Sequence, residues 1–201
     1  MMKKIIALFV ALFLAVMPML SLAEAENVIA LNGVDMAFVP VADATLLTRE
    51  SEADLFTQVG LDKQSMGLYM SIYGVYALMI DNAGETEYQI SALLTNDGDL
   101  AALTAQEQAQ RCETLRAQYA GQSYEVLSAE IMQSANGALW VRVEASYTYS
   151  NGEVAYSVDY FTWYEGYVVT VSVFPYKGET TESQLALGSA LMESVQLTVQ
   201  P

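Results

Sequence analysis

Apolar and polar residues alternate with period two over three long runs, Ala138–Tyr149, Glu153–Tyr164 and Tyr167–Phe174, which predicts an antiparallel meander. Asn151-Gly152, taken as a two-residue turn, sets Tyr149 against Val154, and so Ala145 against Val158, Val143 against Tyr160 and Val141 against Thr162. Glu165-Gly166, taken as the next turn, sets Tyr164 against Tyr167, Thr162 against Val169 and Tyr160 against Val171. Both turns give the same buried face, and the expected register rests on that agreement. The tyrosines Tyr147, Tyr149, Tyr156 and Tyr160 are expected on that apolar face, and a further strand at Tyr124–Met132 precedes the meander.

Upstream, Asn32-Gly33 reads as a tight turn between strands at Val28–Leu31 and Met36–Val39, and Thr45–Thr48 extends again. Ser51 is the expected cap of a short helix that stops at Gly60, and Asp62 the cap of a second helix from Lys63 to about Tyr73. Met66, Tyr69, Met70 and Tyr73 share one face of that helix. Strands at Val75–Ile80 and Glu87–Thr95 flank the turn signal Asp81-Asn82-Ala83-Gly84. Thr104 and Glu107 form a capping box for a helix to Tyr119 whose inward stripe is Cys112, Leu115 and Tyr119. After Pro175, Thr181 and Gln184 cap a closing helix with Leu185, Leu191, Met192 and Val195 inward. The order predicts an α/β (α+β) fold, an antiparallel sheet of about six or more strands with helices packed on its faces.

A different pattern occupies the start. Lys3 and Lys4 precede the apolar run Ile5–Val16, and Ser21-Leu22-Ala23-Glu24-Ala25 offers small residues at two overlapping cleavage sites. Residues 1–25 are expected to be a secretory signal peptide cleaved after Ala23 or Ala25. Retention as an anchor is the alternative that the length of Ile5–Leu22 leaves open. Residues 26–201 then form a single α/β domain that works outside the cytoplasmic membrane, with no membrane insertion after cleavage. No lipid-anchor cysteine lies near the cleavage region.

Charge narrows the partners. The full chain carries a formal net charge of −16, and loss of the signal lysines takes it to about −17 or −18. Such a field repels phosphate backbones and anionic headgroups, so neither nucleic acid nor a membrane surface is an expected partner. The absence of histidine removes Ser-His-Asp and Cys-His catalysis and almost all catalytic zinc sites. Cys112 is the single cysteine, so no internal disulfide can form and stability must come from packing. No catalytic residue, metal or cofactor is expected.

The second face of the meander supplies the candidate site. In the expected register it places Trp140 opposite Trp163, Arg142 opposite Phe161 and Glu144 opposite Asp159, with Val168, Thr170 and Ser172 continuing the rows. Aromatics beside an arginine and paired carboxylates suit a glycan or peptide platform. The competing reading is that a helix covers Trp140, Phe161 and Trp163. Glu144 and Asp159 also offer the two carboxylates of a histidine-free glycan hydrolase, although Arg142 beside them would neutralise the pair. Asn96-Asp97-Gly98-Asp99 lacks the alternating acids of a calcium loop and reads as an Asx-rich turn.

Two stretches carry a resemblance. Phe38-Val39-Pro40, then Leu46-Leu47-Thr48-Arg49 and a helix through Gly60-Leu61 to Leu68-Tyr69-Met70, is one. Tyr164-Glu165-Gly166-Tyr167-Val168-Val169-Thr170-Val171, then a closing helix ending Met192-Glu193-Ser194-Val195, is the other. Together they resemble the PsbP-like fold, in particular small secreted proteins of Gram-positive gut bacteria. The resemblance implies an α/β/α sandwich and carries over no catalytic residue, because that fold serves several unrelated binding and assembly roles. The expected function is an exported, non-enzymatic binding or accessory protein with a protein or glycan partner. The alternatives are the carboxylate-dependent hydrolase and a structural or assembly subunit of an exported complex.

Overall fold

The computed structural model describes residues 27–201, and the signal peptide expected over 1–25 lies outside the described residues. Strands β1 (Asn27–Ala30) and β2 (Val34–Phe38) are joined by the two-residue Asn32-Gly33 connection, with Gly33 at φ +83. The short C-terminal strand β10 (Gln196–Val199) pairs with the other edge of β2, giving a small antiparallel sheet in the order β1-β2-β10. The expected order of elements ends at the closing helix and contains no strand over residues 196–199.

The larger sheet has seven antiparallel strands. They are β3 (Ala44–Leu47), β4 (Val75–Asp81), β5 (Thr86–Leu94), β6 (Glu125–Gln133), β7 (Leu139–Thr148), β8 (Val154–Tyr164) and β9 (Tyr167–Pro175). Their spatial order is β3-β4-β5-β9-β8-β7-β6. The expected antiparallel sheet flanked by helices is thus present, with a second sheet added.

Local chemistry sets the helix ends. Helix α1 (Ala53–Gln58) closes in a Schellman motif, with Gly60 N–H donating to Thr57 C=O at 3.0 Å and Leu61 N–H to Phe56 C=O at 2.9 Å. Its N-cap is Glu52 rather than Ser51, whose Oγ instead accepts from Thr48 N–H at 2.9 Å in the preceding turn. Helix α2 (Lys63–Ile72) is capped by Asp62, which accepts from Ser65 N–H at 2.7 Å. Met70 is fully buried on its inner face, while Tyr73 lies past the last turn and is exposed. Helices α3 (Ala105–Gly121) and α4 (Glu182–Ser194) both open with complete capping boxes.

Three cores result. The main one lies between the small sheet with α4 and one face of the large sheet, and includes Met36, Phe38, Tyr88, Ile90, Trp140, Tyr160, Val171, Leu191 and Met192. On the opposite face α1 and α2 cover Leu47, Leu78 and Ile80. Helix α3 covers Val141, Val143, Phe161 and Trp163 on the same side, with Cys112 and Leu115 facing the sheet. Among the described residues no helix is long and apolar enough to cross a membrane.

The register between β8 and β9 is the expected one, with Tyr164 opposite Tyr167 and Tyr160 opposite Val171. Between β7 and β8 it is shifted by one residue. Val141 faces Phe161, Val143 faces Asp159 and Ala145 faces Ser157. The cause is the turn. Gly152 N–H donates to Tyr149 C=O at 2.9 Å and Tyr149 N–H to Glu153 C=O at 2.8 Å, so three residues, Ser150-Asn151-Gly152, make the loop. Gly152 alone takes a left-handed conformation (φ +87), as the bulge residue of a three-residue hairpin does. Asn151 does not, because its side chain accepts from Glu153 N–H at 3.0 Å and holds an Asx turn.

Candidate functional site

That shift redistributes the expected platform over two faces. Trp140, Arg142 and Glu144 share the face of Tyr160, whereas Asp159, Phe161 and Trp163 share the face under α3. Tyr147 and Tyr149 move likewise to the α3 side, where they join a ring cluster with Tyr124 and Tyr119. Glu144 and Asp159 therefore do not form a carboxylate pair, and the geometry proposed for two-carboxylate hydrolysis is not present.

Each half has its own environment. Arg142 pairs with Glu144 two residues along its own strand and with Glu130 across the strand pair at 3.3 Å. Asp159 is 4 % exposed and accepts from Tyr119 Oη at 2.7 Å and Ser157 Oγ at 2.9 Å. Burial pushes its carboxyl above the ordinary range despite these donors and a third from Ser172. The Tyr119 hydroxyl is pushed up by the same burial and then by the neighbouring Asp159 charge. Phe161 stacks against Trp163 at 6.3 Å, and the Arg111 guanidinium lies 4.8 Å from the Trp163 ring centre while pairing with Asp97 at 2.7 Å. The helix-covered reading thus holds for Phe161 and Trp163. Trp140 is buried on the opposite face, against the main core.

The two tryptophans nonetheless meet one cavity. The β7–β8 ladder stops at Val141 opposite Phe161, so Leu139 and Trp140 leave the register while Thr162–Tyr164 continue beside β9. Where the strands part, a cleft of about 600 Å³ opens, walled by 136–140, by 162–164, by Asp99 with Ala101, by Val195 at the end of α4 and by Gln196–Thr198 of the small sheet. Both tryptophans of the chain line it. Its surface is mainly apolar, and its size falls within the range of small-ligand sites.

Polar groups punctuate the wall. Asp99 Oδ1 accepts from Glu165 N–H at 2.7 Å, which ties the loop before α3 to the β8–β9 turn. Asn136 Oδ1 accepts from Ala138 N–H at 3.1 Å, and its Nδ2 donates to Val195 C=O at 3.5 Å across the cleft. The indole N–H of Trp140 is buried and meets no acceptor among the described residues.

Of the six expected site residues, the structure brings Trp140 and Trp163 to this cleft. Arg142, Glu144, Asp159 and Phe161 do not line it. Asn136 and the β10 strand are not among the expected site residues, and Asp99 is expected only as part of an Asx-rich turn. The available signals for the first two were the Asn136-Gly137 turn pair and the short alternation Gln196-Leu197-Thr198-Val199. Asp97 is committed to Arg111, and no group of three or more metal-ligating side chains occurs among the described residues.

No protein-family model matches the chain, and no curated protein matches it. Among solved structures, it is similar to the solution structure of cyanobacterial PsbP from Synechocystis sp. PCC 6803. Identity is 13%, the TM-score 0.43, and the match covers 89% of this chain and 94% of that one. It is also similar to the crystal structure of PA94, a protein of unknown function from Pseudomonas aeruginosa. There identity is 11%, the TM-score 0.35, and coverage 80% of this chain and 86% of that one.

Proposed function

We propose that the chain is an exported, non-enzymatic binding or accessory protein whose contact site is the cleft between the two sheets. The observation that carries this reading is the mainly apolar opening of about 600 Å³ where β7 and β8 separate. A sheet that ran paired to its end would fill that space with its own ladder. Here the strands part, and the rim is built from loops and a short edge strand, which are suited to contact rather than to core packing. The acidic surface supports cationic or neutral partners and disfavours nucleic acid.

A thermal-melt screen of residues 26–201 against peptide and oligosaccharide panels tests this. A ligand at 100 times its dissociation constant adds about 2.7 kcal/mol, a rise of several degrees at roughly 2–4 °C per kcal/mol. Ala101 is an exposed wall residue, so Ala101→Phe blocks the cleft without touching the core and should abolish the rise. A rise that persists in Ala101→Phe places the site elsewhere, and a flat screen across both panels removes the reading.

A further inference from the structure

We infer that the cleft takes an extended peptide segment, of alternating apolar and basic residues, as an added strand on the open edge of β10; this rests on the binding role proposed above. Four consecutive residues of one short segment, Val195–Thr198, line the cleft. Successive strand side chains point to opposite faces, so a run of four neighbours can border one space only along its backbone edge.

The ladder says which backbone groups face that space. Gln200 N–H donates to Gly33 C=O at 3.0 Å, in the same register as Thr198 opposite Asp35 and Gln196 opposite Ala37. In an antiparallel pair only alternate residues exchange hydrogen bonds with the partner strand. Gln196 and Thr198 therefore bond β2 and Gln200 bonds Gly33, while Leu197 and Val199 direct both peptide groups outward and Val195 only its carbonyl, because its N–H donates to Met192 C=O at 3.1 Å. β10 is the end strand of its sheet, and no strand or side chain among the described residues meets the outward groups of Leu197. At Val195 the outward carbonyl accepts from the Asn136 carboxamide, an amide donor in the place where an added strand would supply one.

The walls select the occupant. Trp140 and Trp163 are 1 % and 6 % exposed, so neither offers an open ring face on which a sugar could stack. What they and Leu139 supply is an apolar floor for alternate side chains of a strand. Asp99 is the charged side chain of the wall, on a chain of net charge −16, which favours lysine or arginine at the intervening positions. Four residues of edge span about 13 Å, room for a peptide core of three or four residues. Strand addition of this kind takes its affinity from main-chain hydrogen bonds and its specificity from alternate side chains.

The test uses a synthetic library of octapeptides alternating apolar and basic residues, with binding to residues 26–201 read by fluorescence anisotropy. The best binder is then resynthesised with single N-methyl groups along its backbone. Loss of affinity by tenfold or more at every second position, with near-parent affinity between, is the expected result, because only alternate N–H groups face β10. Leu197→Pro removes one outward N–H while leaving the β2 ladder intact, and should weaken the same peptide in a variant whose melting curve remains cooperative. Uniform tolerance of N-methylation overturns strand addition. No binder from this library, together with a melting rise from an oligosaccharide that Ala101→Phe abolishes, overturns the peptide while leaving the cleft as the site. Failure of both panels overturns both.

Discussion

Trp140 and Trp163 stand on opposite faces of the seven-stranded sheet, one against the main core and one beneath α3, yet both border the same cleft. Two side chains on opposite faces can share a space only where the sheet between them ends. The parting of β7 from β8 beyond Val141 and Phe161 is what brings them together. The one-residue register shift thus dismantles the expected platform and leaves its two tryptophans at a different site.

The register itself is open to a direct test. Tyr149 and Glu153 are joined by a ladder hydrogen bond, which makes Thr148 and Val154 the adjacent non-hydrogen-bonded pair. Such pairs lie about 4.5 Å apart at Cα, within disulfide range. In a Cys112→Ala background, Thr148→Cys with Val154→Cys should oxidise to an intramolecular disulfide, scored by thiol titration and a gel shift. Tyr149→Cys with Val154→Cys should not. The opposite outcome would restore the two-residue turn.

Helix α4 lies against β9 at a glycine. A Cβ at Gly188 would sit 2.3 Å from Cγ2 of the buried Val173. Alanine improves helix propensity by about 1 kcal/mol, but overpacking a close-packed contact costs about 1–3 kcal/mol. Gly188→Ala should therefore lower stability in urea despite its better propensity. Equal or greater stability would mean that the helix sits farther from the sheet.

Asp159 gives a pH signature. Its folded pKa is raised by burial above the unfolded value of about 3.9. Its contribution to stability is therefore fully present below that value, and is lost as pH rises through the folded pKa. Within this window the loss is at most about 1.4 kcal/mol per pH unit. Asp159→Asn keeps oxygen for Tyr119 and cannot ionise, so its stability relative to wild type should grow with pH above about 4 and then level. The capping carboxylates Asp62 and Glu107 are held below their ordinary range by backbone donors and act in the opposite direction. They are present in both proteins and cancel in the difference. A pH-independent difference would show that Asp159 is not buried as described.

Much of the fold is legible in local chemistry. The capping boxes at Thr104 and Thr181, the Asp62 cap and the left-handed Gly60 place the helices within a residue or two. Glu165-Gly166 fixes its hairpin because both residues adopt positive φ, +47 and +77, as a type I′ turn demands. The Asn-Gly pairs show the limit. At 32–33 the pair is the whole loop, whereas at 151–152 it is part of a three-residue loop. In both cases only the glycine is left-handed, so the dipeptide alone does not count the loop residues. Hydrophobic pattern does not correct the error, because helices cover both faces of the sheet at β8. Val158, Asp159 and Tyr160 are all buried, and a one-residue slip leaves apolar side chains inside either way. The cleft was illegible for a related reason: it depends on where two strands stop pairing and on a four-residue strand with no turn residue before it.

The cleft is tested most directly by the indole N–H signals in a two-dimensional ¹H–¹⁵N spectrum. The chain has two tryptophans, Trp140 and Trp163, so two indole signals report on this site. Titration with the strongest binder from the melting screen should move both, and Ala101→Phe should hold both still at the same concentration. A binder that raises the melting temperature while neither indole signal moves would contradict the assignment of function to this cleft.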